Sequence, residues 1–138
     1  MSRVTVEWRA AKAKAEISAW ALQGMERACQ FAAERAREYA PASTGTLRSE
    51  ITYEVRAYGD VVEGAIGLPR KAKAFYARWV ELGTAGHLVK VRRKRVLSDR
   101  ETVFGRLLEH PGIRAHPFLR PAVFNHATEI LRLIGRRR

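Results

Sequence analysis

Cysteine is almost missing: Cys29 stands alone in 138 residues. No internal disulfide can form, and a zinc site of four cysteines, or of two cysteines and two histidines, is arithmetically impossible. A reducing compartment is expected. No apolar run approaches the roughly 18 residues of a membrane span. The first residues carry Glu7, Arg9, Lys12 and Lys14 where a secretory signal needs about 7 to 15 apolar ones, so the expectation is folding in a cytoplasm, with no membrane partner. The phosphate-cradling patterns GxxxxGK[ST] and GxGxxG and the nucleophile pattern GxSxG do not occur. Four histidines, His87, His110, His116 and His126, show no i, i+4 spacing and no HExxH-like pattern, and Cys29 sits on an apolar stripe rather than in the open basic setting of a reactive thiolate. No catalytic residue, cofactor or metal is predicted. Spacing alone leaves room for a small basic ribonuclease using His and Arg, the third functional reading in order.

Acidic side chains are few against basic ones, 14 to 26, for a net charge of +12. The chain therefore carries its own positive field, and a polyanion or an acidic protein face is an expected neighbour. Apolar residues make up 46%, the composition of a globular chain, and the length suits one domain over 1–138. From Trp8 to Tyr39 there is no proline and one glycine, with Trp8, Ala11, Ala15, Leu22, Met25, Cys29, Ala32, Ala36 and Tyr39 at helical spacing. A helix over 8–39 is predicted, ended by Ala40-Pro41. Leu47, Ser49, Ile51, Tyr53, Val55 and Ala57 then alternate with Arg48, Glu50, Thr52, Glu54 and Arg56, which predicts a strand with its odd-numbered face buried. Tyr58-Gly59-Asp60 reverses the chain into residues 61–68, giving a β-hairpin over 46–68. Phe75, Tyr76, Trp79, Val80 and Leu82 suggest a short helix closed by Gly83. The segment 118–135 reads as a C-terminal helix with Pro121 in its first turn. The fold class is α+β, two helices on a small, mainly antiparallel sheet.

Most of the excess charge is concentrated. Residues 87–100 hold Lys90, Arg92, Arg93, Lys94, Arg95 and Arg100 against Asp99 alone, and residues 126–138 hold Arg132, Arg136, Arg137 and Arg138 against Glu129. The stretch 87–106 reads as an extended basic loop or hairpin arm. Its point charges on mobile stems would meet phosphates without reading bases, and no aromatic interleaves it for stacking. Such a run is equally often a solvated face.

Three blocks stand in order: Ala40-Pro41-Ala42-Ser43-Thr44-Gly45-Thr46-Leu47-Arg48, then Tyr76-Ala77-Arg78-Trp79-Val80-Glu81-Leu82-Gly83-Thr84, then Ala115-His116-Pro117-Phe118-Leu119-Arg120-Pro121-Ala122. Together they resemble the tail-completion, or head-tail joining, proteins of long-tailed bacteriophages, over residues from about 10 to 135. Two features depart from that pattern: Leu82, where an aromatic residue is commoner, and the expanded stretch His87 to Arg106. The resemblance implies a non-enzymatic neck subunit in the virion. It would form a homo-oligomeric ring, six-fold first and twelve-fold second, between a head-closure or connector protein and a tail terminator or tail tube. In such a ring the charge of Lys90, Arg92, Arg93, Lys94 and Arg95 would meet DNA or an acidic face of an adjoining ring, and Phe75, Tyr76, Trp79 and Phe118 would divide between core and subunit interface. The alternative from a different class is a basic nucleic-acid-binding protein of phage or bacterial origin.

Overall fold

Helix α1, Ala10–Tyr39, is the spine of the molecule in this computed structural model, which describes residues 10–42, 45–91, 97–98, 103–105 and 107–135. The expected helix over 8–39 forms, with Trp8 outside the described residues. Its buried positions, Gly24, Ala28, Cys29, Ala32, Ala33 and Ala36, recur at steps of one, three and four and continue into Ala40, the signature of one helical stripe. Small residues on that stripe let other backbones come close. A Cβ at Gly24 would collide with the Ile134 carbonyl, and one at Gly64 with the sulfurs of Cys29 and Met25, so glycine at both places is a packing requirement.

The segment after the first turn corrects the alternation reading. Instead of a strand from Leu47, a one-turn helix α2 covers Thr46–Glu50, with Gly45 ahead of it at φ 73°. Strand β1 runs only over Thr52–Tyr58. Leu47 and Ile51 are 2% and 1% exposed; four residues apart, they share a side in a helical turn just as they do in a strand. Arg48 and Glu50 therefore belong to a helix, not to the outer face of a strand.

Strand β2, Val61–Gly67, returns antiparallel with Tyr58 opposite Val61. Tyr53, Val55 and Ala57 pair with Ile66, Gly64 and Val62 on the face that Gly64 turns to α1. The expected face is thus correct but its depth is not: Val55 is half-buried, while Tyr53 and Ala57 stay exposed.

The expected short helix forms as α3, Ala77–Leu82, closed by Gly83 at φ 71°. Next come β3 (His87–Lys90), β4 (Leu97–Ser98), β5 (Val103–Gly105) and β6 (Leu107–His110). β3 pairs with β6 and β4 with β5, both antiparallel. The described strands make three two-stranded ladders rather than one sheet. Of the expected arm, 87–106, the base is a paired ribbon, and its central charges lie outside the described residues.

The expected helix over 118–135 is two, α4 (Leu119–Phe124) and α5 (Ala127–Gly135). Its break falls at Asn125-His126. The His126 ring is clamped against α1 there, with Nε2 3.0 Å from the Tyr39 hydroxyl and the Phe31 ring edge-on at 5.6 Å. The break lets both pieces lie along α1.

Among the described residues the buried apolar set is eight alanines, Cys29, Leu47, Ile51 and Phe118. Burial pushes the Cys29 thiol above its ordinary pKa, as expected of a small core residue. So few large side chains make each one costly to lose. Ile51→Asp should abolish cooperative thermal unfolding, since an unpaired carboxylate there costs several kcal/mol or more. Exposed Thr52→Asp should shift stability by less than about 1 kcal/mol. Circular dichroism melts of the two variants compare them directly.

Candidate functional site

Two carboxylates fix α3 and the loop before it. From α2, Glu50 accepts the Lys73 and Ala74 amides on its two oxygens, at 2.8 and 2.7 Å. These backbone bonds, Ala74 first, hold its carboxyl below the ordinary glutamate pKa. From α3, Glu81 reaches the first turn of α4. Its Oε2 accepts the amides of Phe118 and Leu119 at 2.7 and 2.9 Å, and Oε1 accepts that of Arg120 at 3.1 Å. Those are donors that a helix start leaves without partners, so Glu81 caps α4 from another element. Burial by itself pushes the Glu81 carboxyl upward, but the three amides and the Arg120 guanidinium outweigh it, leaving the group below its ordinary value. The chain between α3 and α4 is tied down too: Thr84 and Ile113 exchange backbone hydrogen bonds at 2.9 and 3.1 Å, and His116 donates to the Val80 carbonyl at 2.7 Å.

This frame presents an aromatic face. Phe75 is 74% exposed and Trp79 45% exposed, and the Phe75 ring stands edge-to-face with both Tyr76 and Trp79, centroids 6.0 and 5.9 Å apart. Tyr76 leans on the core. Phe118 is fully buried, which assigns it to the core and removes it from the candidate interface set. Beside the aromatic face lies an open groove of about 600 Å³ between the 68–74 loop, α3 and the start of α4. Phe75, Leu82 and Leu119 line it together with Arg70, Arg78 and Arg120.

Of the basic set, Lys90 alone belongs to the described residues. Lys90 ends β3, exposed and opposite Leu107; Arg92, Arg93, Lys94 and Arg95 fall outside the described residues. No cluster of three or more His, Cys, Asp or Glu that could hold a metal occurs among the described residues. None of their helices is long and apolar enough to cross a membrane. His87 and His110 face each other across β3 and β6, ring centroids 5.1 Å apart, and the His110 Nδ1 accepts the Gly112 amide at 3.0 Å. Sequence reasoning missed Glu81 and Glu50 as organising residues. Their partners are main-chain amides 37 to 39 and 23 to 24 residues away, and no side-chain pattern announces such partners.

Over residues 6–83 the chain matches the family model described as "Bacteriophage HK97-gp10, putative tail-component". The chain belongs to the HK97-gp10-like family. The match covers more than half of the sequence, including α1, the hairpin and α3, and ends at Gly83. No curated protein and no solved structure matches the chain. Membership makes the chain a structural bacteriophage protein, a tail component carried in the virion. Glu50 and α3 lie inside the matched region, whereas the α4 turn that Glu81 caps lies beyond it.

A depressed carboxyl stabilises the fold above its unfolded-state pKa, roughly 4.3 for glutamate, and the stabilisation is lost as pH falls through the lower folded value. Glu81→Gln, which keeps the size but loses an acceptor oxygen and the charge, should cost about 1–3 kcal/mol at pH 7. Its deficit against the parent should shrink steadily below about pH 4. Urea unfolding of both proteins between pH 3 and 7 measures this, and a deficit independent of pH would mean that the Glu81 charge does not matter.

Proposed function

We propose that this tail component is a ring-forming subunit of the phage neck, which completes the tail and joins it to the head. The observation that carries the proposal is the aromatic face on α3: Phe75 and Trp79 lie in water on a segment held by backbone bonds to two carboxylates. A rigid, exposed aromatic surface beside a groove is what a protein interface uses for its anchors. A joiner on a cylindrical axis needs cyclic symmetry, and cyclic rings are built from heterologous contacts. Six copies match the usual symmetry of phage tails, and twelve are the second possibility. The neighbours are a head-closure or connector protein on one side and a tail terminator or tail tube on the other. Within such a ring the residues Lys90, Arg92, Arg93, Lys94 and Arg95 face either the genome or an acidic face of an adjoining ring. The function needs no catalytic residue, cofactor or metal.

The basic run itself favours a second reading, a dedicated nucleic-acid binder. The two separate through a variant with Gln at all five positions. For a neck subunit, the parent protein as a monomer binds duplex weakly, while the variant forms rings but fails to join tails to heads. For a nucleic-acid binder, the parent binds duplex at physiological salt, with log K falling by about 0.9 per neutralised phosphate for each tenfold rise in salt, and the variant loses that binding with joining and infectivity intact. Electron microscopy of rings and of assembled particles, with filter binding across a salt series, reads both. Monomeric protein in intact virions would overturn the neck assignment.

A further inference from the structure

The β1–β2 tip and the α3 groove are two exposed surfaces of opposite chemistry at opposite ends of α1. Tyr58 and Val61, 53% and 62% exposed, sit across from each other beside the turn. The hairpin carries Glu54, Asp60 and Glu63 against Arg56 alone, an acidic element in a chain of net charge +12. The groove side reverses this. Residues 69–80 hold Arg70, Lys71, Lys73 and Arg78 and no acid, and Arg120 joins them from α4; Glu81 also lines the groove, with its oxygens taken up by the α4 amides and by Arg120 at 3.7 Å. Neither Arg70 nor Arg78 has an ion pair among the described residues.

Their separation follows from the helix. Asp60 pairs with Lys14 at 2.7 Å near the start of α1, whereas Ala74 and Ala77, in the groove wall, pack in the cluster of Ala33, Ala36 and Ala40 at its end. At 1.5 Å per residue, the distance along α1 is about 30 Å. The hairpin cannot fold back into its own groove. Each copy therefore has one free tip and one free groove, and an interface of two unlike surfaces propagates head to tail until it closes.

We propose that the β1–β2 tip of one copy seats in the α3 groove of the next, so that this contact is the repeating interface of the ring; the inference rests on the ring reading above. Tyr58 and Val61 supply the apolar contact to Phe75, Leu82 and Leu119, and Asp60 and Glu63 meet Arg70 and Arg78 at the rim. The Lys14–Asp60 pair is solvent-exposed on both sides, a weak kind of pair that leaves Asp60 open to a second cation.

The test is a cysteine pair, Val61→Cys with Leu82→Cys, oxidised in purified protein and in assembled particles, alongside each single variant. The pair should give a ladder of cross-linked species reaching the closed ring, while each single variant gives no ladder. Rings seen by electron microscopy without a ladder would overturn this interface and leave the ring reading standing. If neither purified protein nor particles contain rings, the ring reading fails first and takes the interface with it. A second variant set guards against misfolding. Asp60→Arg with Glu63→Arg, and separately Arg70→Glu with Arg78→Glu, should each lower the ring population at least about tenfold. Mixing the two should restore rings of alternating copies, since the sound tip then meets the sound groove and the reversed tip meets the reversed groove. Rings that survive Arg70→Glu with Arg78→Glu while duplex binding is lost would assign the groove to nucleic acid and sink the proposal.

Discussion

The small-residue stripe of α1 is the constraint on which the rest of the structure depends. Ala28, Ala32, Ala33, Ala36 and Ala40 bury little surface each, but they let α5, the hairpin, α4 and α2 all settle on one helix, almost backbone to backbone at Gly24 and against the Cys29 and Met25 side chains at Gly64. Close approach gives many dispersion contacts per unit length and little hydrophobic area. The consequence, among the described residues, is a thin core with three large fully buried side chains, and a surface holding Phe75, Trp79, Leu82, Tyr58, Val61, Phe124 and Leu131. Contiguous exposed apolar side chains such as Phe75 and Trp79 mark interaction surfaces, and the proposed assembly draws on the same distribution of side chains that leaves the core thin.

Polar chemistry supplies the precision that the thin core lacks. Glu50 and Glu81 satisfy five backbone amides between them. Arg48 and Arg37 do the same for carbonyls at the α1–α2 junction, donating to Ala40 and Ile51 at 2.8 and 2.7 Å. Ending segments on charged side chains fixes loops that would otherwise be the first parts to open. The groove beside α3 is thus bounded by elements whose positions are set by hydrogen bonds, and its shape does not depend on a partner being present.

Much of this was legible in the sequence. The alanine-rich spacing before Pro41 specified α1 almost to its end, Gly59-Asp60 marked the reversal between β1 and β2, and Gly83 marked the stop of α3. Alternation misled where two periods coincide, since Leu47 and Ile51 satisfy a helical turn and a strand alike, and only contact with the rest of the core decides between them. The helix break at His126 depends on Phe31 and Tyr39, almost a hundred residues earlier. Of the candidate interface residues, Phe75 and Trp79 are exposed and Phe118 is not, a division that composition cannot make. The clamping by Glu81 was invisible for a simpler reason: its partners are amides, which every residue but proline owns.

The central claim is that the tail component's exposed apolar surfaces are completed by further copies of the chain. Binding of folded copies to one another raises apparent stability by mass action. The most direct measurement is therefore the thermal unfolding midpoint of the purified full chain over a hundredfold range of protein concentration, with the oligomeric state followed in parallel by light scattering. The midpoint should climb by several degrees as monomer gives way to assembled species. A midpoint that stays constant across the whole range, with scattering that reports monomer throughout, would contradict it.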